Sequence, residues 1–397
     1  MKILNLASVL PYKYRTMNSI VIKLSEEVNI LSKGEISFRY ATFYPWSNFL
    51  LSLIKKKWEE YYKSPEYYYY NYDSRNIKII GLKGISLPKD YFTEVLSSTY
   101  FLMNYKKLKK IIFKSKIKVL HAHYLFPDGL VALFLSYKFK IPFILSVRSP
   151  DRKYLDRNFI SKILTNKILT RASKIITFNL GMKEKILNFN NNISNKISII
   201  PHPIKKNELY KNFKVNKKIK IITISHYQKY KRLPLIIKSL SILNKLGYED
   251  SYSYTLIGEN KENLNLKKLA KKLNVDINFT GRLSYRETQD KLKCSDIFIL
   301  TSYYETFGLS YIEAMAKSNA TIAVKGTGIW GIFKDNEEVI YTEKGNIKSI
   351  ISALKYFLDN PAEIRKYKKR SYNAVKQRLI NSKIIPKYVN LYKTINT

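Results

Sequence analysis

Two glutamates separated by seven residues, Glu305 and Glu313, with Gly308 between them, are the side chains of this chain best placed to do chemistry together. The unbroken apolar run Ile-Phe-Ile-Leu at 297–300 reads as a parallel strand buried on both faces, ended by Thr301 and Ser302. A loop carrying Glu305 follows. Gly308 lets the backbone turn sharply into a helix with Leu309, Ile312 and Ala316 on its apolar stripe and Glu313 on the flank. The next strand is expected at 321–324. A carboxylate at a strand's carboxyl end and another on the following helix stand where open parallel sheets bind ligands, beside a helix amino terminus. Taken alone, the pair reads more simply as a solvated loop residue and a helix-surface charge, because most carboxylates are merely exposed.

A second constellation is cationic. A strand expected at 219–224 leads into the loop 225–232 and then a helix with Leu233, Ile236, Ile237, Leu240 and Leu243 on one face and Pro234 in its first turn. His226, Lys229, Lys231 and Arg232 therefore surround a helix amino terminus, where free amides and cations together favour phosphate. General lysine richness is the competing explanation. A further strand at 142–147 ends in Arg148-Ser-Pro-Asp151, and an arginine at a strand's carboxyl end suits an anionic ligand or is a plain surface charge. His121 and His123 alternate by two near the end of another strand and so share one face. Lacking Cys, Asp or Glu partners close in sequence, they read as a packed or substrate-facing pair rather than a metal site.

These residues must be positioned by two successive βα series. In the first, a strand at 2–7 precedes a helix through Ile20, Val21, Leu24, Val28 and Leu31 that stops at Gly34, the usual start of a doubly wound sheet. The loop 11–18 holds no glycine, so it offers no phosphate cradle. Between 42 and 110 apolar and basic residues mix: Phe49 to Trp58 reads as an amphipathic helix that covers the sheet or rests on anionic lipid, and a short strand is expected near 77–80. A helix at 158–171 and strands at 174–178 and 197–200 complete this half. Pro201-His-Pro203 breaks regular structure, and the Lys- and Asn-rich stretch to Lys220 reads as a linker. The second half adds strands at 254–257, 277–280 and 339–341, a capping box at Ser284 and Glu287, a flexible loop at 326–328, and a terminal helix opened by Asn360-Pro-Ala-Glu363.

Composition bounds the rest. A length of 397 residues exceeds what one core usually organises, so two domains of about 150–200 residues are expected. Hydrophobic residues at 45% and charged residues at 25% describe a globular chain. The formal charge of +41 suits anionic partners such as nucleic acid, an anionic membrane or anionic substrates, or reflects a composition in which Ile, Asn, Lys and Tyr are abundant together, and lysine recurs along almost every predicted helix instead of gathering in one stripe. One cysteine, Cys294, excludes an internal disulfide framework and suits a reducing compartment. Nothing at the amino terminus reads as a signal peptide, and no apolar run approaches the ~18 residues needed to span a bilayer. A cytoplasmic protein, at most attached to the inner membrane face, is expected.

Two similar α/β halves, an anion loop and paired glutamates in the second half resemble the GT-B glycosyltransferases. More narrowly, Glu305-Thr-Phe-Gly-Leu-Ser-Tyr-Ile-Glu313 is similar to the Glu-x7-Glu hallmark of the large retaining nucleotide-sugar family that includes sucrose-phosphate synthases and many bacterial mannosyl- and glucosyltransferases. Val119 and the residues to Gly129 resemble the family's cleft-facing strand and loop, Lys231 its donor-phosphate lysine, and 360–363 the start of its late helix. The resemblance implies an α/β fold with two Rossmann-like doubly wound domains facing a cleft: 1–204 for the acceptor, 205–375 for the donor, and a helix at 376–397 returning to the first domain. It further implies that Glu313 holds the ribose hydroxyls, Glu305 the transferred sugar, and the amides of Phe307, Gly308 and Leu309 the sugar or diphosphate. Lys231 would neutralise the leaving diphosphate. His226 stands where the family carries a phosphate arginine, and Arg148 where it carries a first-domain histidine, which makes Arg148 a catalytic candidate beside Glu305 and Lys231. Ser318 and Ala320 replace a usual glycine and proline.

The implied activity is retaining transfer of a hexosyl group from a nucleoside diphosphate sugar to a hydroxyl of a saccharide or lipid-linked acceptor, in cell-surface polysaccharide or glycolipid synthesis. The donor is a substrate, and neither a cofactor nor a metal is expected, there being no Asp-any-Asp motif. An anionic membrane surface is a further expected partner; specific nucleic acid is not. The alternatives are a non-catalytic polyanion-binding protein, for nucleic acid or anionic membrane, and an inactive GT-B paralogue.

Overall fold

A computed structural model describes residues 1–10, 20–46, 59–60, 62–86, 92–259 and 263–395. The glycine-free loop 11–18 and the amphipathic stretch 49–58 lie outside the described residues. The chain divides into two compact units. One comprises Met1–Thr177, Lys183–Ile200 and Ile385–Thr397, and the other comprises Phe178–Met182 and Pro201–Ile384.

In the first unit the strands β1 (Lys2–Leu6), β2 (Ser37–Pro45), β3 (Tyr67–Tyr72), β4 (Arg75–Gly84), β5 (Val119–Ala122), β6 (Phe143–Ser146), β7 (Lys174–Thr177) and β8 (Ile197–Ile199) form an eight-stranded sheet in the order β3-β4-β2-β1-β5-β6-β7-β8. Every pairing is parallel except the β3–β4 hairpin, whose two-residue turn places Asp73 and Ser74 at φ 50° and 62°. Helices α1 (Ile20–Leu31), α2 (Thr93–Ser115), α3 (Leu130–Phe139) and α4 (Phe159–Arg171) supply crossovers and cover. From β1 the chain winds first toward β2 and later toward β5, so the topological switch, where such sheets bind ligands, lies between β1 and β5.

The second unit repeats the plan with parallel strands β9 (Ile219–Ile224), β10 (Tyr252–Ile257), β11 (Asn278–Gly281), β12 (Ile297–Ile299), β13 (Ala320–Val324) and β14 (Ile340–Thr342) in the order β11-β10-β9-β12-β13-β14. Its switch lies between β9 and β12, two strands whose apolar runs are almost wholly buried. The stretch expected as a linker is instead stitched to this unit: Tyr210 N donates to Ala316 O at 2.8 Å and Asn212 N to Ser318 Oγ at 3.1 Å. Its asparagines supply side-chain hydrogen bonds, so polarity here serves packing rather than flexibility. The capping box forms as read, with Glu287 N on Ser284 Oγ and Ser284 N on Glu287 Oε2. Asn360, by contrast, makes no side-chain cap and donates backwards to Tyr356 O at 2.9 Å.

Candidate functional site

In the second unit the carboxyl ends of β9 and β12 carry the two loops singled out by their residues. After β9 a single 3₁₀ turn, Lys229–Lys231, is followed by Arg232 in the left-handed region at φ 53°, and then by α5 (Leu233–Lys245) with Pro234 in its first turn. After β12 the chain reaches Gly308, at φ 75°, and enters α6 (Leu309–Ala316). A Cβ on Gly308 would lie 2.5 Å from the buried Tyr311 ring, so both conformation and space demand glycine. The loops are knitted together: Tyr303 N donates to Tyr230 O at 2.8 Å, and Thr301 Oγ1 to the carbonyls of Lys231 and Arg232 at 3.2 and 3.1 Å.

This knitting brings Lys231 Nζ onto Glu305 Oε1 in a direct ion pair. At 14% and 13% side-chain exposure both partners are withdrawn from bulk water yet reachable by a ligand. Beside them, no hydrogen bond within the described residues occupies the amide N–H groups of Phe307, Gly308 and Leu309, at the start of α6. A helix amino terminus with free amides next to a lysine is suited to anionic oxygens. Phe307 itself is anchored, 2% exposed, with its ring edge-on to His202, which stacks on Phe178. Leu309, expected on the apolar stripe, is 37% exposed, and Tyr311 and Met315 fill the core instead, because residue 309 lies at the helix's first position, where the chain leaves the Gly308 turn. Glu313 is half-buried on the same helix. Its charge, after burial itself and after Glu208, helps push the Tyr285 phenol up to about 12. The two glutamates therefore have different neighbours. His226 is exposed at the end of β9.

Further supports went unread in the sequence, where Arg232 reads only as a cation at the helix amino terminus. Asn179 Nδ2 donates to Thr306 O at 2.6 Å and Glu305 O at 3.3 Å, while its Oδ1 accepts from Met182 N at 2.8 Å. An asparagine preceding a helical run is a capping signal that would have found it. Thr327 Oγ1 accepts from Glu305 N at 2.7 Å, so 326–328 is a packed loop, not a flexible one, and a Cβ on Gly181 would lie 2.1 Å from Gly326 O. Arg232 lays its guanidinium 4.1 Å from the centre of the Tyr303 ring, and Lys344 lies 4.3 Å from that of Tyr304.

Arg148 belongs to the first unit and is no surface charge: it is 7% exposed, and its Nε donates to His123 O at 3.2 Å. Asp151 accepts from Arg148 N at 2.9 Å and Leu125 N at 3.0 Å, and Asp128 accepts from Ser8 N at 3.2 Å. Burial raises both carboxyls, Asp151 to about 7. His121 and His123 stack at 4.1 Å, sharing a face as their spacing predicted; His121 is held by Tyr392 Oη and Ser146 Oγ and is lowered to about 3 by burial and by Arg148. Arg148, His121, His123, Asp128 and Asp151 thus gather at the carboxyl edge of one sheet, and Lys231, Glu305, His226 and the 307–309 amides at that of the other. Among the described residues no group of three or more His, Cys, Asp or Glu side chains could hold a metal ion.

The family model for glycosyl transferases group 1 matches residues 205–377, and that for glycosyltransferase family 4 matches residues 68–208. The chain is a GT-B glycosyltransferase. An uncharacterized glycosyltransferase of Methanocaldococcus jannaschii is 25% identical over 68% of this chain and 73% of its own. The sucrose-phosphate synthase of Thermosynechococcus elongatus superposes with a TM-score of 0.73 at 16% identity, over 100% of this chain and 99% of that one. An Anabaena protein, HepE, solved in complex with UDP-glucose, gives 0.67 at 11% identity over 99% and 100%. Each unit of this GT-B chain accounts for one Rossmann-like half of the fold. Among its described residues no helix is long and apolar enough to cross a membrane.

Proposed function

We propose that this glycosyltransferase moves a hexosyl group from a nucleoside diphosphate sugar to a hydroxyl acceptor with retention of configuration. The observation that carries the reading is the Lys231–Glu305 pair beside the free amides of residues 307–309, at the switch point of the second sheet. The UDP-glucose complex of the similar Anabaena protein supports a nucleotide-sugar donor. As the bond from the anomeric carbon to the diphosphate oxygen breaks, negative charge grows on the leaving group. Lys231 and the amides lie ready to stabilise it without reorganising. Glu305 holds a hydroxyl of the transferred sugar, and Glu313 the ribose hydroxyls. His226 and Arg148 add cationic or hydrogen-bonding capacity around the phosphates and the acceptor. The acceptor hydroxyl attacks on the face from which the diphosphate departs and passes its proton to the departing diphosphate oxygen, and no metal or further cofactor takes part. The acceptor is a saccharide or lipid-linked hydroxyl of a cell-surface polysaccharide or glycolipid, met in the cytoplasm at an anionic membrane face.

Incubation with a panel of nucleotide sugars, following nucleoside diphosphate release, tests the reading. Lys231→Ala is expected to lower turnover by about 10²–10³-fold, the range for removing one group that stabilises developing negative charge, and Glu305→Ala by about 10²-fold through loss of its hold on the transferred sugar. Unchanged release in both variants would remove these residues from the site, and a product of inverted anomeric configuration would overturn retention.

A further inference from the structure

The edge of the first sheet opposite Arg148 carries a feature that the transfer reaction does not use. There the amino-terminal ends of β1, β2 and β4 and the carboxyl-terminal half of α2 enclose a groove of about 860 Å³. Seven cationic side chains line it against two carboxylates, Glu26 and Glu66. Both carboxylates are already engaged, Glu26 by Arg75 at 2.9 Å and Glu66 by Lys107 at 3.5 Å. Lys2, Arg39, Lys78, Lys110 and Lys114 remain without a carboxylate partner among the described residues. Burial, and after it the nearby charges of Lys83 and Lys78, hold the Lys107 ammonium below its ordinary range despite Glu66. So many like charges round one concavity repel one another, and an anionic ligand relieves that repulsion.

The rim adds a second chemistry. On the edge strand β3, Tyr67 and Tyr69 point to the same side, 49% and 53% exposed, with rings 5.8 Å apart and the Lys78 ammonium 4.0 Å from the centre of the first. Exposed tyrosine rings beside cations suit a ligand that presents weakly polar C–H surfaces between negative groups, which describes a sugar chain bearing carboxylates or phosphates. A glycosyltransferase works among sugar chains, and a groove lined from three strands and a helix offers a chain contacts on more than one side. We infer that this groove binds an anionic glycan, holding a stretch of chain away from the reacting end. The inference rests on membership of the glycosyltransferases and not on the donor or stereochemistry proposed above.

The test uses the full chain and a short fluorescent oligogalacturonate, with a neutral dextran oligomer, a single-stranded DNA of equal charge and phosphatidylglycerol vesicles as separate arms. Arg39→Glu/Lys110→Glu/Lys114→Glu changes only exposed side chains, and an unchanged circular dichroism spectrum and thermal unfolding midpoint show that it folds. The wild-type chain is expected to bind oligogalacturonate more tightly than the DNA or the vesicles and not to bind dextran. The triple variant should bind it about tenfold or more weakly, and Tyr67→Ser several-fold more weakly at unchanged charge. Equal oligogalacturonate binding by wild type and triple variant, or tighter binding of DNA or vesicles than of the glycan, would overturn the inference. Because binding is read without turnover, its loss is separable from any failure of the donor assignment.

Discussion

Strand β12 is flanked by two lysine–carboxylate pairs of identical chemistry and opposite design. At its amino end Lys368 and Asp296 are 1% and 0% exposed, their nitrogen and oxygen 3.0 Å apart. Asp296 also accepts from Lys220 N at 3.0 Å and Asn216 Nδ2 at 2.8 Å, and Lys368 also donates to Lys214 O at 2.6 Å. At its carboxyl end, within the described residues, Lys231 is the one side chain bonded to the Glu305 carboxylate, and both stay partly exposed. A pair whose valences are filled by protein can only hold the fold together. A pair with valences left over can exchange its mutual contact for a ligand.

Removing one partner from each pair should separate these designs. Lys368→Met leaves Asp296 buried without its counter-charge and is expected to cost about 3–5 kcal/mol, read from the midpoint shift in chemical denaturation. Lys231→Met should cost clearly less, because Glu305 keeps some contact with solvent, while still abolishing most turnover. Equal destabilisation by the two substitutions would mean that the carboxyl-end pair is structural too.

The first unit offers a third way to keep a titratable group inside, with no counter-charge at all. His121 is lowered from 6.5 to about 3, first by burial and then by Arg148, so the folded protein keeps it neutral. As pH falls below about 6.5 the unfolded chain takes up a proton that the folded one does not, so this contribution to stability is complete near neutrality and is lost as the pH drops towards 3. Asp151 works with the opposite sign. Its raised carboxyl lets the folded state hold a proton that the unfolded chain has released, so stability falls as pH rises from about 4 to about 7. Comparing wild type with His121→Gln cancels the shared terms. The wild type's stability advantage should shrink by on the order of 2–3 kcal/mol between about pH 7 and about pH 4.5. An advantage independent of pH would show that His121 is protonated in the fold.

What the sequence made legible follows from how local each signal is. The run at 297–300 and the strand at 219–224 were readable because strands buried on both faces show unbroken apolar runs, and they are found at Ile297–Ile299 and Ile219–Ile224. The edge strand β3 escaped because four consecutive tyrosines look alike on both faces, leaving no alternation to read. Strand β2 hid for a related reason: Arg39 and Thr42 interrupt its apolar residues, and Arg39 is exposed. At the site, Lys231 and Glu305 were legible by residue type and spacing, but their contact joins positions 74 residues apart. The burial of Arg148 was not legible at all, since it depends on a network drawn from three strand ends.

Asn179 offers the finest test of the open pair, because two substitutions pull its two functions apart. Its Oδ1 caps the helix Leu180–Phe189 through Met182 N, and its Nδ2 holds the carbonyls of Glu305 and Thr306. Asn179→Ala loses both and should cost about 1 kcal/mol, as lost amino-terminal caps usually do. Asn179→Asp keeps an acceptor for Met182 N, and its charge suits the helix amino terminus. It also sets a carboxylate oxygen against two carbonyl oxygens at the loop that presents Glu305. If Asn179 serves only the helix, Asp should be as stable and as active as the wild type. If it positions the Glu305 loop, Asp should retain more stability than Ala yet lose more turnover, with nucleoside diphosphate release measured beside thermal denaturation for both variants.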